Sequence, residues 1–138
     1  MKNTILLVED DPDHETLTLR ALRKAGIKDP VAVARDGAEA LDFLFGTGAH
    51  LGRDTTQTPR VVLLDLKLPK VDGIEVLQRM RKHELTRRIP VVVLTTSDEE
   101  RDLVDSCDFG ANDYIRKPVD FEQFIEATRK LDRFWVKS

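Results

Sequence analysis

Cysteine, tryptophan and long apolar runs are rare in this sequence or missing from it, and each of these features would indicate a particular class of protein. The sequence contains one cysteine, Cys107, and one tryptophan among 138 residues. One cysteine allows no internal disulfide and no cysteine metal site, so we expect Cys107 to be a small residue on a packed helix. No apolar run approaches transmembrane length, and no signal segment precedes the first apolar run. We therefore expect a cytoplasmic protein with no membrane partner.

An excess of positive charge is also missing. The net charge is −3, and the 22 basic residues are scattered along the chain. This balance gives no general attraction to nucleic acid, so we expect no nucleic-acid partner. The apolar fraction of 41% and the charged fraction of 34% are typical of a globular protein. The length predicts a single domain over residues 1–138.

The chain alternates between short β-branched runs and segments with apolar residues at helical spacing. Five strands are predicted, at Thr4–Val8, Val31–Ala34, Arg60–Leu64, Val91–Leu94 and Asn112–Arg116. Five helices follow them, and we expect these to begin near Pro12, Gly37, Gly73, Ser97 and Asp120. The fourth has a capping-box pattern, with Glu100 three residues after Ser97. The alternation predicts an α/β fold with a parallel sheet, and the uniformly apolar third and fourth strands predict helices on both faces.

One stretch, residues 46–59, fits neither pattern. It contains three glycines, four threonines, His50 and Arg53, and it predicts a long surface loop. Two interpretations stay open here, a tolerated insertion and a functional loop.

Polar residues stand at the carboxyl ends of four predicted strands. Glu9 and Asp10 follow the first strand, Asp65 the third, Thr95 the fourth, and Lys117 the fifth. The carboxylates form one site only if the first and third strands are neighbours, which predicts the strand order 2-1-3-4-5. Ligands of such sheets bind where the strand order reverses.

Clustered carboxylates need a counter-charge, because two of them 4 Å apart repel by about 4 kcal/mol at an effective dielectric constant near 20. Lys117 supplies one positive charge, and all-oxygen ligands favour Mg²⁺ over zinc for the rest. Asp65 could then take up a phosphoryl group whose oxygens contact the cation, Lys117 and the Thr95 hydroxyl. Each residue also has a simpler interpretation. An acid after a strand can be a turn or cap residue, as we expect for Asp11 and Asp36, while Thr95 can be a turn hydroxyl and Lys117 a solvated side chain.

The sequence resembles the receiver domain of two-component response regulators over nearly its whole length. Five blocks carry the resemblance in order, at residues 5–11, 61–69, 72–73, 90–95 and 110–118. The resemblance implies a flavodoxin-like fold, Mg²⁺ as cofactor and a sensor histidine kinase as partner. The protein would then be a phosphoacceptor signalling domain that assists its own phosphorylation and dephosphorylation, rather than an enzyme.

The resemblance also assigns roles residue by residue. Asp65 would be phosphorylated, Asp10 and the Lys67 carbonyl would bind the metal directly, and Glu9 would bind it through water. Thr95 and Lys117 would contact the phosphoryl group, and Tyr114 would be the switch aromatic. For Tyr114 the alternative is a half-buried strand tyrosine.

Several features depart from the family pattern or narrow it. Thr96 stands where the family often has a smaller residue, while Lys67 and Ser97 occupy positions that tune dephosphorylation in the family. The long 46–59 loop and the tail around Trp135 resemble stand-alone regulators that pair with phytochrome-type histidine kinases. No output domain is expected after the receiver, so output would be a protein contact or onward phosphotransfer. Trp135 either packs on its own helix or extends a homodimer surface formed by helix four, strand five and helix five.

Two other functions remain open from the sequence. A phosphatase of the haloacid-dehalogenase type also uses an aspartate after a strand, but it needs an acid two residues later, where this chain has Lys67. A receiver-like binding module that is never phosphorylated would be expected to lack one of the acids, Thr95 or Lys117.

Overall fold

The computed structural model describes residues 4–68, 70–96, 99–100, 104, 110–111, 113–117 and 122. Its centre is a five-stranded parallel sheet in the order β2-β1-β3-β4-β5. The strands are β1 Ile5–Val8, β2 Val31–Ala34, β3 Val61–Asp65, β4 Val91–Thr95 and β5 Asp113–Arg116. The predicted fold class and strand order are confirmed, and β3 and β4 each extend one residue further than expected, to include Asp65 and Thr95.

The central strands are apolar throughout because both of their faces are covered. Every residue of β1, β3 and β4 is buried. Alternate residues point to opposite faces of a strand, so each strand contributes to two cores. Leu6, Val62 and Val93 belong to the core of one face, and Leu7, Leu63 and Val92 to the core of the other.

Three complete helices are described, and they divide between the two faces. They are α1 Pro12–Lys24, α2 Gly37–Phe45 and α3 Gly73–Lys82. Helix α1 contributes Ala21 and Leu22 to one core, whereas α2 and α3 contribute to the other, with Leu44 and Met80 among their buried residues. The sheet is therefore doubly wound, as predicted. None of the helices in these described residues combines the length and hydropathy that crossing a bilayer requires.

Aspartates fix the starts of all three helices. The Asp11 carboxylate accepts hydrogen bonds from the backbone N–H groups of Asp13 and His14, and Asp36 accepts one from Glu39. Asp72 does the same for α3, accepting from the Glu75 N–H at 2.9 Å. Each cap satisfies a backbone donor that the first helical turn leaves without a partner. Asp11 and Asp36 are thus the cap residues that we expected.

Not every apolar residue of α1 is covered. Leu17 is 37% exposed, whereas the neighbouring Thr18 is buried. The 46–59 segment is also less irregular than predicted, because it includes a 3-10 helix at Gly48–His50.

Several predictions concern residues outside the described set. These include most of helices four and five, the packing of Cys107 and Trp135, and the Ser97 cap. The homodimer surface falls largely in the same residues.

Candidate functional site

The strand register brings the ends of β1 and β3 together, as the carboxylates require. Val8 of β1 pairs with Leu64 of β3, so Glu9 and Asp65 follow adjacent paired residues. The loop after β3 is held by a close approach of α3. A Cβ atom on Gly73 would collide with the Asp65 carbonyl oxygen, and the Gly73 N–H donates to the Leu66 carbonyl at 2.9 Å. A glycine is therefore required where α3 begins.

Lys117 joins the two buried acids. Its Nζ lies 3.0 Å from Asp65 Oδ2 and 2.9 Å from Glu9 Oε1. The side chains of Lys117 and Asp65 are 6% and 4% exposed, and that of Glu9 is fully buried. The backbone N–H of Lys117 donates to the Thr95 carbonyl at 2.6 Å, which attaches the end of β5 to the end of β4. The lysine therefore reaches across the sheet edge, as we expected from its position.

The electrostatics of the site follow from burial. Burial is the main reason that the pKa of Glu9 is raised to about 7, and the neighbouring Asp65 carboxylate raises it further while Lys117 opposes the rise. Burial alone would lower the pKa of Lys117. Its hydrogen bonds to Glu9 and Asp65 outweigh this effect, so its pKa is raised and the ammonium form is favoured.

The acidic cluster fits a divalent cation. Glu9, Asp10 and Asp65 each offer a carboxylate oxygen, and these oxygens lie within 4.8 Å of one another. Although Glu9 Oε1 is buried close to Lys117, it has no hydrogen-bond partner of good geometry. Asp10 is exposed, and the other two carboxylates are buried. Together the three provide hard oxygen ligands of the kind that Mg²⁺ prefers. The predicted metal-binding acids are thus brought together, and the donors present suit magnesium.

Lys67 lies on the rim of this site. Its backbone N–H donates to Asp65 Oδ1 at 3.1 Å, which holds the loop after β3 against the carboxylate. Its side chain points outward and is 75% exposed.

Thr95 and Tyr114 occupy neighbouring strands beside the acids. Thr95 is the last residue of β4 and is 4% exposed. Tyr114 pairs with Val93 in the register of β4 and β5, and its half-buried side chain packs against the core on the face of α2 and α3. The two residues therefore lie on adjacent strands, Thr95 at the end of β4 and Tyr114 within β5.

Glu100 is a site-rim residue whose part the sequence did not reveal. The capping-box pattern directs it toward the start of the fourth helix, and Ser97 lies outside the described residues. In the structure the Glu100 carboxylate accepts from the Thr96 N–H and hydroxyl, and it also pairs with Lys67. The capping-box pattern indicates that Glu100 lies at a helix start. It does not reveal the contact with Lys67, because that contact depends on the order of the strands in the sheet.

The fold and this site together define a class. A doubly wound sheet carries paired acids and a lysine where its strand order reverses, which is the arrangement of a receiver domain. The chain belongs to this family, since the response regulator receiver domain model matches residues 5–129. It is thus a domain of two-component signalling.

The relatives agree with this assignment. The chain is 42% identical to the probable methanogenesis regulatory protein FilR2 of Methanothrix harundinacea, over 96% of this chain and 83% of that protein. It is 35% identical to the response regulator Rcp1 of Synechocystis, over 97% of this chain and 89% of Rcp1.

Solved structures of phytochrome-associated regulators are similar as well. The bacteriophytochrome response regulator RtBRR is 49% identical with a TM-score of 0.92, and all of this chain aligns with 82% of RtBRR. The bacteriophytochrome response regulator AtBRR is 51% identical with a TM-score of 0.89, and all of this chain aligns with 98% of AtBRR. Rcp1 has been solved with Mn²⁺ bound, at 35% identity and a TM-score of 0.76, covering 96% of this chain and 93% of that one.

Proposed function

We propose that Asp65 accepts a phosphoryl group from the phosphohistidine of a sensor histidine kinase. The observation that carries the proposal is the contact between Lys117 Nζ and Asp65 Oδ2, 3.0 Å apart in a nearly buried site. A buried carboxylate held by a lysine and flanked by two more acids has the parts that phosphoryl transfer needs, namely positioning and charge stabilisation.

In the proposed reaction an Asp65 carboxylate oxygen attacks phosphorus while the bond from phosphorus to the imidazole nitrogen breaks. The leaving imidazole retains the bond electrons and picks up a proton from solvent. No general base is needed, because the attacking atom is a carboxylate oxygen. Lys117 stabilises charge on one phosphoryl oxygen, and the Thr95 hydroxyl donates to another.

Glu9, Asp10 and Asp65, with the Lys67 carbonyl, would hold Mg²⁺. When bound, the cation neutralises charge on the carboxylates and on the phosphoryl oxygens. Glu9 is suited to an outer position, reached through water, because it is buried behind Asp65 and Lys117.

A conformational change would follow from the new charge at Asp65. Movement of Thr95 toward the phosphoryl group would open space on β4, and Tyr114 on the adjacent strand would turn to fill it. Output would be a protein contact or onward phosphotransfer. The homodimer through helix four, strand five and helix five stays a prediction, because most of that surface lies outside the described residues.

The partner proposed here is a phytochrome-type histidine kinase. Support comes from the similarity to RtBRR and AtBRR, both described as bacteriophytochrome response regulators.

Phosphotransfer from a panel of autophosphorylated kinases, including a phytochrome-type kinase, tests acceptor and partner together. We expect label to leave the phytochrome-type kinase rapidly and to appear on this protein. This transfer should require Mg²⁺. Asp65→Asn should abolish the gain while Asp54→Asn, an exposed acid on the 46–59 loop, should not. Label that persists in Asp65→Asn would contradict the acceptor assignment, and transfer only from other kinases would contradict the partner.

A further inference from the structure

The Glu100 carboxylate connects the loops that follow β3 and β4. Its Oε1 accepts from the Thr96 N–H at 3.0 Å, and its Oε2 accepts from the Thr96 hydroxyl at 3.1 Å. The same Oε2 lies 3.5 Å from Lys67 Nζ. We call these contacts between Glu100, Thr96 and Lys67 the Glu100 bridge.

The bridge lies beside a nucleophile that is hardly accessible. The Asp65 side chain is 4% exposed, so a phosphodonor reaches it only when surrounding groups move apart. Lys67 is two residues beyond Asp65, and Thr96 directly follows Thr95. Since β3 and β4 are adjacent strands, with Asp65 paired to Leu94, the bridge joins the two loops on either side of the acceptor.

We propose that Glu100 is a positioning residue that limits access of the phosphodonor to Asp65. This inference rests on the proposed function. The intact bridge holds the Lys67 side chain across to the β4 loop, and this contact must break before a donor can approach. An exposed ion pair contributes little to stability, so we expect a modest effect on the rate, about two- to five-fold.

A purely local role for Glu100 is the competing explanation. A glutamate that accepts from a backbone N–H four residues earlier can simply cap a helix. In that case Thr96 would matter and Lys67 would not. A second alternative is simple electrostatics, in which Glu100 repels an anionic donor and Lys67 attracts it.

Phosphorylation rates of three variants separate these explanations. Glu100→Gln keeps an oxygen that can accept from Thr96 but removes the ion pair, and Lys67→Met removes it from the other side. With acetyl phosphate and Mg²⁺, followed by intact mass, we expect both variants to be labelled about two- to five-fold faster than the wild type. The double variant should be no faster than either single one, because the same contact is lost. Glu75→Gln, in the exposed Glu75–Arg79 pair of α3, is the matched control and should leave the rate unchanged.

A second readout needs no metal and no phosphoryl transfer. In Mg²⁺-free protein, carbodiimide coupling of glycinamide to Asp65 should be faster in Glu100→Gln and in Lys67→Met than in the wild type, as read by peptide mass. Unchanged coupling, unchanged phosphorylation rates, additive effects or opposite effects of the two single variants would each overturn the bridge. A wild type that is not labelled at all would overturn the proposed function, whereas the coupling rates test the bridge without phosphoryl transfer, so the two failures are distinguishable.

Discussion

At the scale of single residues, the positions of the site residues could be predicted because polar side chains stand directly at the strand ends in the sequence. Glu9, Asp65 and Lys117 each directly follow or end an apolar run, and parallel strands bring such ends to one edge. What the sequence could not reveal is how the charges balance. The raised pKa of Glu9 depends first on its burial, and burial is a property of the packed molecule.

The proposed role of Asp10 in metal binding leads to a first prediction. Asp10→Asn removes one of three clustered negative charges, so the metal-free protein should be no less stable than the wild type, while Mg²⁺ binding should weaken about tenfold. At saturating Mg²⁺ the metal-induced stabilisation should then fall by about 1.4 kcal/mol. Thermal unfolding with and without Mg²⁺ measures this. Asp13→Asn, on exposed α1 surface, is the control, and equal Mg²⁺ stabilisation in Asp10→Asn and the wild type would contradict the assignment.

A second prediction concerns Asp29, which precedes β2 and so lies at the amino ends of the strands, away from the site. Its side chain is 1% exposed, neither carboxylate oxygen has a hydrogen bond, and Arg60 Nε lies 3.4 Å away. Burial raises the pKa of Asp29, and Arg60 opposes the rise. Arg60→Met should therefore raise this pKa further and destabilise the fold by about 1–2 kcal/mol near neutral pH, less than for a fully buried pair because Arg60 is partly exposed.

The sign of the pH dependence follows from the raised pKa. A carboxylate whose pKa is higher in the folded state costs stability while ionised, and this cost shrinks as the pH falls through the folded pKa and is gone below the unfolded pKa. The deficit of Arg60→Met should thus shrink on acidification, as measured by urea unfolding across the pH range. Arg60→Lys should retain most of the stability, and Asp29→Asn combined with Arg60→Met should lose the pH dependence. A deficit independent of pH would count against this explanation.

At the scale of elements, the strands, the helix starts and the position of the 46–59 loop were predictable, but the internal organisation of that loop was not. Strand patterns and aspartate caps are local signals, so β2 and the starts of α1 and α2 lie where we expected them. Arg53 organises the loop through hydrogen bonds, although the sequence alone indicates no more than an ordinary surface charge at this position. Its guanidinium donates to the Phe43 and Leu44 carbonyls in the last turn of α2 and to the Gln57 carbonyl in the loop.

Arg53 thereby supplies a positive charge at the C-terminal end of α2, because that helix has no basic residue in its own last turn. A cation at this end satisfies free carbonyls and complements the helix dipole. Its guanidinium carbon also lies 4.2 Å from the centre of the Phe43 ring.

We therefore expect Arg53→Met to destabilise the protein by about 2 kcal/mol in urea unfolding. Amide hydrogen exchange should become faster across residues 46–59, whereas the phosphorylation rate should not change. Arg35→Met, which breaks an exposed pair with Glu15, should cost under about 0.5 kcal/mol. Protection of the loop that is unchanged in Arg53→Met would contradict this account.

At the scale of the whole molecule, the strand order followed from one requirement, that the acids of β1 and β3 meet. The order β2-β1-β3-β4-β5 satisfies it and puts Lys117 within reach from the far edge strand. The Glu100 bridge could not be predicted in the same way. The pairing of β3 with β4 brings the two loops near each other, but the contacts of the Glu100 carboxylate depend on side-chain packing, which no sequence period reveals.

The most direct measurement is the chemical position of the phosphoryl group. After incubation with acetyl phosphate and Mg²⁺, borohydride reduces an aspartyl phosphate to homoserine, which peptide mass spectrometry locates in the sequence. We predict homoserine at position 65 and at no other acid, with none formed when Mg²⁺ is chelated. Homoserine at position 10, 2-amino-5-hydroxypentanoic acid (the corresponding reduction product of a glutamyl phosphate) at position 9, or an unmodified Asp65 in protein that carries a phosphoryl group would contradict the central claim.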